Sequence, residues 1–146
     1  MLEKLKDFDW SMIPGNEYYI PEHVTPAILG LAFPEKDKDV TSDARWALGN
    51  DHCGTYYPAL IWALPFLNEI LISGTEEGRN ATIGYLFDGL RFWPEPETIQ
   101  DETGAEVSVH ELMKVPLESI RATLRNIDTP DARDLLEDID KKYFAP

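Results

Sequence analysis

The residues best suited to chemistry stand side by side in the run 51–55, which reads Asp-His-Cys-Gly-Thr. A cysteine beside a histidine suggests a thiolate nucleophile, which needs a base within hydrogen-bond reach. Neighbouring residues rarely have that geometry, and His23 and His110 are distant in the sequence. The alternative is a small thiol buried beneath the start of a helix. We favour this alternative and predict that Cys53 is structural and unreactive and that no residue of the chain is catalytic.

The other residues of this run favour structural roles as well. Thr55 can cap the helix that follows, because its hydroxyl can accept from a free backbone amide. Gly54 can adopt a positive φ, and His52 can donate to carbonyls of the loop. We predict all three roles.

A metal or cofactor site is not indicated. The chain has no Cys-x-x-Cys, His-x-x-x-His or His-Glu-x-x-His spacing. Aspartates two residues apart, such as Asp7 and Asp9, lack the third oxygen donor, the glycine and the distal glutamate of a calcium loop. We predict no bound metal and no cofactor.

Acidic side chains are the most abundant charged groups. The chain has 27 Asp and Glu against 13 Lys and Arg, for a net charge of −14. Such a charge repels nucleic acid and anionic membranes and favours a basic protein partner. It can also serve solubility alone. We therefore predict neither nucleic-acid nor membrane binding.

Two acidic stretches are the candidate partner-binding surface. One is residues 94–106, whose charged residues are all acids, and the other is the last helix. An aromatic residue among acids suits a protein interface, and the alternative is a solvated face. The candidate residues are Trp93, Glu95, Glu97, Asp101, Glu102 and Glu106, and secondarily Asp131, Asp134 and Asp138.

Helices must position these residues. Apolar spacing and capping residues predict helices over 25–33, 42–48, 58–72 and 79–93, another from Ser108 that is interrupted near Pro116, and a last one after Thr129. Residues 58–72 are apolar on nearly all sides, which predicts a buried central helix, kinked by Pro65. The tryptophans are more often core than ligand-binding. Residues 1–21 read as an N-terminal arm and 94–106 as an extended loop.

One segment resembles a known group of proteins. The run from Leu48 to Leu71 is similar to a motif of bacterial HEAT-repeat-like helical proteins. The matching residues are Leu48, Gly49, Asn50, His52, Gly54, Thr55, Tyr57, Pro58, Ala59, Ala63, Pro65, Phe66 and Leu67. The resemblance implies an α-solenoid-type stack of antiparallel helix pairs and identifies no chemistry. We expect one all-α domain over 1–146 with about six to eight helices.

Three functional hypotheses follow. The leading one is an acidic protein-binding module, of the kind of a bacterial immunity protein (antitoxin) that neutralises a basic toxin such as a nuclease. The second is a HEAT-like scaffold or adaptor, and the third is an enzyme that uses Cys53. With no signal peptide visible, and no apolar run near the roughly 18 residues of a membrane span, the sequence predicts a cytoplasmic protein.

Overall fold

Six α-helices contain half of the residues of the structure, a computed structural model that describes residues 1–146. The helices are α1 (Val24–Ala32), α2 (Val40–Ala47), α3 (Ala59–Ser73), α4 (Glu76–Gly89), α5 (Val109–Arg125) and α6 (Pro130–Ile139). The short strands are β1 (Gly49–Asn50), β2 (Thr55–Tyr56), β3 (Trp93–Pro94), β4 (Thr98–Gln100) and β5 (Glu106–Ser108). A π-helical turn, Asp140–Phe144, follows α6. The prediction of an all-α fold with six to eight helices is confirmed.

Helix α3 lies at the centre of the core. It packs against α1, α4 and α5, and its inward residues, such as Leu60, Leu64 and Leu67, are fully buried. Aliphatic residues of the other five helices join it in one continuous hydrophobic cluster. Burial of these side chains is the main driving force for the fold.

The outer side of α3 departs from expectation. Trp62, Pro65 and Ile72 are exposed, so the prediction that this helix is buried all round is wrong along that side. The apolar pattern misled because it does not specify how many neighbouring helices cover a given helix. Pro65 lies on this open side, and α3 continues through it to Ser73.

Local side-chain hydrogen bonds explain where the helices begin. Thr129 and Ser108 cap α6 and α5 as predicted. Helix α2 is capped by Asp39, which accepts from the Ser42 amide at 3.1 Å, rather than by Thr41 or Ser42. Asp is as effective an N-cap as Ser, and Asp39 stands directly before the first residue of the helix.

Helix α4 begins three residues before the predicted start. Thr75 caps it by accepting from the Gly78 amide at 3.0 Å. Gly78 suggested a turn in the sequence, but it serves close packing instead, because a Cβ there would lie 2.6 Å from the Ala32 carbonyl oxygen at the end of α1. Helix α5 likewise continues through Pro116, contrary to the predicted interruption, since Met113 and Leu117 anchor both sides of the proline in the core.

Two small sheets replace parts of the predicted helix and loop. β1 pairs with β2 in antiparallel fashion, and β2 pairs with β3 in parallel, so Trp93 lies in a strand and not at a helix end. β4 and β5 form an antiparallel ribbon within the predicted loop 94–106 and just beyond it. These runs are too short to show strand alternation in the sequence.

The N-terminal arm, residues 1–21, folds onto the helices. Leu5, Trp10 and Ile13 are buried, and the Trp10 indole donates to the Thr25 hydroxyl at 2.9 Å. Helices adjacent in sequence pack as the pairs α1–α2, α3–α4 and α5–α6, and α2, α4 and α6 also touch in succession. Helix α1 packs on α4 as well. The HEAT-like assignment stays a prediction.

Substitutions in α3 test its central position. Leu64→Ala or Leu67→Ala should lower the free energy of unfolding by about 2–5 kcal/mol, because each leaves a cavity in a fully buried site. Ile72→Ala on the open side of the same helix should cost less than about 1 kcal/mol. Urea unfolding followed by tryptophan fluorescence measures both. Equal losses at Leu64 and Ile72 would contradict this packing.

Candidate functional site

The ribbon of β4 and β5 carries the acidic candidates on a folded element. Ile99 pairs with Val107 and is buried, whereas Gln100 pairs with Glu106 and both are exposed. Strand alternation therefore turns one face of the ribbon to the core and the other to solvent. We call residues 97–108 the acidic ribbon.

Asp101 holds the turn of the acidic ribbon. Its carboxylate accepts from the Thr103 amide at 2.8 Å, the Thr103 hydroxyl at 2.6 Å and the Ala105 amide at 3.1 Å. These hydrogen bonds lower the pKa of the Asp101 carboxyl. Gly104 completes the turn with φ +82°. Asp101 is thus tied into the turn, and a partner would have to compete with these hydrogen bonds for its carboxylate.

Glu95 also has a partner within the chain. Its carboxylate accepts from the Asn16 side-chain amide at 2.6 Å, and its backbone amide donates to the Tyr56 carbonyl. This contact ties the N-terminal arm to the segment that leads into the ribbon. The ribbon acids without an ion pair or a side-chain hydrogen bond are Glu97, Glu102 and Glu106, all exposed.

The Trp93 ring makes a cation–π contact with a lysine. The ring is 64% exposed, and the Lys142 ammonium lies 4.6 Å from its centroid. Lys142 Nζ donates to the carbonyl oxygens of Leu90 and Phe92, each at 2.6 Å, beyond the end of α4. Burial lowers the pKa of Lys142 to about 8. The prediction that Trp93 belongs to a partner-binding surface stays a prediction.

The three candidate acids on α6 divide into two groups. Asp138 forms an ion pair with Arg91 at 3.1 Å and lines a shallow groove together with Trp93. Asp134 and Asp131, one and two turns earlier respectively, are exposed and form no ion pair. The structure thus brings Asp138 and Trp93 together.

The run 51–55 forms the turn between β1 and β2. Arg45 holds this turn against α4, since its guanidinium donates to Asp51 at 3.1 Å and to Asp88 at 3.0 Å. Gly54 has φ +68°, as predicted. Thr55 lies in β2, four residues before α3 begins at Ala59, so its predicted capping role is wrong. The His52 ring is exposed and makes none of the predicted hydrogen bonds to loop carbonyls.

Cys53 is exposed, so the prediction of a buried thiol is wrong. The residue stands at the tip of a strand turn that points away from the core, whereas the sequence suggested a helix start. Its amide donates to the Asn50 side chain and carbonyl, which makes the turn self-contained.

No group of three or more His, Cys, Asp or Glu side chains is placed to hold a metal ion. No helix has both the length and the apolar content that crossing a bilayer requires.

The sequence missed a large groove between α1 and α2. Leu29, Phe33 and Trp46 line it, and all three are exposed. The expectation that Trp46 packs in the core is wrong, because the buried side of α2 is formed by Ala44 and Ala47. The sequence feature that could have indicated this groove is Phe33, an aromatic residue directly before Pro34 at the end of α1.

Comparisons with protein-family models, with curated proteins and with solved structures found no match to this chain. The functional conclusion must therefore come from the surfaces described above.

Labelling of Cys53 tests the exposed turn. A thiol reagent such as Ellman's reagent should modify the native protein at neutral pH at a rate within about tenfold of that in urea, because folding does not cover this thiol. Cys53→Ser should abolish the signal, since the chain has one cysteine. Protection by several orders of magnitude would show that the turn is covered in solution.

Proposed function

We propose that the protein is an acidic binding module that captures a basic protein. The observation that carries the proposal is the set of exposed carboxylates on the acidic ribbon, namely Glu97, Glu102 and Glu106. None of them belongs to the ten ion pairs of the structure. Their charge is therefore available to a partner.

The acidic ribbon suits this role because it is already ordered. Asp101 and Gly104 hold its turn, Ile99 anchors it in the core, and the Val109 amide donates to the Glu97 carbonyl at its open end. A preformed surface loses little conformational freedom on binding. Complementary charge then speeds the encounter with a basic partner.

Asp131 and Asp134 extend the proposed surface as secondary contacts. Both are exposed and unpaired, and they lie in the first two turns of α6. Trp93 and Asp138 are the proposed contacts at the groove beside Lys142. Asp101 and Glu95 support the ribbon and the arm, so we assign them a positioning role before a binding one.

Within this class we propose an antitoxin of the immunity type that acts in the cytoplasm. A nuclease toxin needs a basic surface to hold its anionic substrate. A protein of net charge −14 with carboxylates on a rigid ribbon is complementary to such a surface. The proposal explains both the excess of acids and their placement on folded elements.

A growth assay tests the antitoxin role. Expression of the gene adjacent to this one should arrest growth, and co-expression of this protein should restore it through formation of a complex. The co-expressed Leu64→Ala variant, destabilised in its core, serves as the control for rescue by a folded protein. A harmless neighbour, or a toxic neighbour that this protein neither binds nor neutralises, would reject the antitoxin and favour the adaptor hypothesis.

Charge reversal on the acidic ribbon tests the binding surface. The triple variant Glu97→Lys, Glu102→Lys and Glu106→Lys should slow association with the basic partner by about tenfold or more at low salt. The defect should shrink as salt rises, because exposed charges are screened over about 8 Å at physiological ionic strength. Stopped-flow or surface-resonance association rates at two salt concentrations measure this.

A matched variant separates local from overall charge. Asp7→Lys, Glu76→Lys and Glu77→Lys change the net charge equally at exposed acids outside the ribbon and outside ion pairs. Circular dichroism confirms that both variants are folded. Equal slowing by the two triples would show that only net charge matters, and equal, salt-independent rates would remove the ribbon from the interface.

A further inference from the structure

The groove between α1 and α2 combines aromatic walls with acidic edges. It has a volume of about 710 Å³. Phe33 is 64% exposed, Trp46 51% and Leu29 39%. Four side chains that can carry charge line the same groove, the acids Glu35 and Asp43 and the bases Lys38 and His23. Aromatic faces and carboxylates around one cavity are the chemistry that holds a cation with an apolar stem.

The two helices place these groups on one side. Asp43 and Trp46 are three residues apart on α2, so they are neighbours on its surface. Phe33 follows the last residue of α1, and Glu35 comes two residues later in the loop to α2. Small residues of both helices, Gly30 and Ala47, also line the groove.

The carboxylate of Asp43 is free for a ligand. It is exposed and belongs to no ion pair. Glu35 pairs with Lys38 at 3.3 Å, but both side chains are more than 60% exposed. Such an exposed pair contributes little, so a ligand cation can replace the lysine at small cost.

We propose that this groove binds an arginine side chain of the basic partner. The alkyl stem would lie along Leu29 and Ala47, and the guanidinium would stack on Trp46 or Phe33 and face the Asp43 carboxylate. Arginine fits better than lysine because its planar group stacks on aromatic rings and donates two hydrogen bonds to one carboxylate.

A second copy of this chain is a poorer occupant. Each copy has a net charge of −14, so two copies repel each other. A purely apolar segment would fill the groove but leave the acidic edges without a partner. Charge complementarity therefore selects a basic side chain. The biological partner in this inference rests on the proposed function, whereas the chemistry of the groove is tested without it.

An NMR titration with defined peptides provides the test. Hexa-arginine is the probe, and hexa-citrulline, whose side chain has the same shape without the charge, is the matched control peptide. Hexa-arginine should produce saturable shifts of the Trp46 indole N–H and of the Phe33 and Asp43 amides. Hexa-citrulline should shift them at least about tenfold more weakly.

Variants then assign the contacts. Trp46→Leu and Asp43→Asn should each weaken hexa-arginine binding by about five- to tenfold, measured by the same titration. Val115→Ala, a substitution at a residue that is 79% exposed on α5 and outside the groove, should leave binding unchanged. Because all these sites are exposed, the variants should fold.

Several outcomes would overturn the inference. Equal shifts with both peptides would show that the groove does not select a charged side chain, and groove shifts on simple concentration of the protein would identify a second copy. Shifts confined to the acidic ribbon would remove the groove while leaving the proposed function intact. If the growth assay fails but hexa-arginine still gives saturable shifts in the groove, the antitoxin role is rejected and the arginine site stands.

Discussion

The apolar surface of α3 is the constraint on which the rest of the structure depends. Its inward residues can leave water only if α1, α4 and α5 pack around it together. This packing determines where each helix begins and how closely the helices approach. Gly78, for example, lets α4 come near the end of α1 where any side chain would collide with the Ala32 carbonyl.

Electrostatic repulsion acts against this compact core. A chain of net charge −14 repels itself, and its ion pairs relieve only part of that repulsion. Two partly buried basic side chains hold parts of the fold together. Arg45 ties the turn 51–54 to α4, and Lys142 satisfies carbonyls beyond the end of α4. Few basic groups remain to neutralise the outer acids, and that excess is what makes a basic partner favourable.

The two proposed binding surfaces would act through different interactions. The acidic ribbon presents fixed charge at long range, which governs the rate of encounter. The groove between α1 and α2 offers aromatic faces and a carboxylate at short range, which suits retention of one side chain. In the proposed function, the ribbon would attract a basic protein broadly and the groove would hold one of its arginines locally. Each surface is built on elements anchored in the same core.

The sequence by itself determined the helical class, the central place of α3 and the caps at Ser108 and Thr129. Apolar periodicity and capping hydrogen bonds are local properties of the chain, so a single sequence displays them. The positive φ of Gly54 was predictable for the same reason.

Only the tertiary structure decided which side chains stay exposed. Trp46 and Cys53 looked like core residues, yet the neighbours that would cover them are absent from their side of the fold. The acidic residues looked alike, yet long-range contacts and a tight turn gave Glu95 and Asp101 partners and left Glu97, Glu102 and Glu106 free. Whether a side chain is exposed or hydrogen-bonded depends on segments distant in sequence, such as Asn16 beside Glu95. No local sequence pattern encodes these contacts.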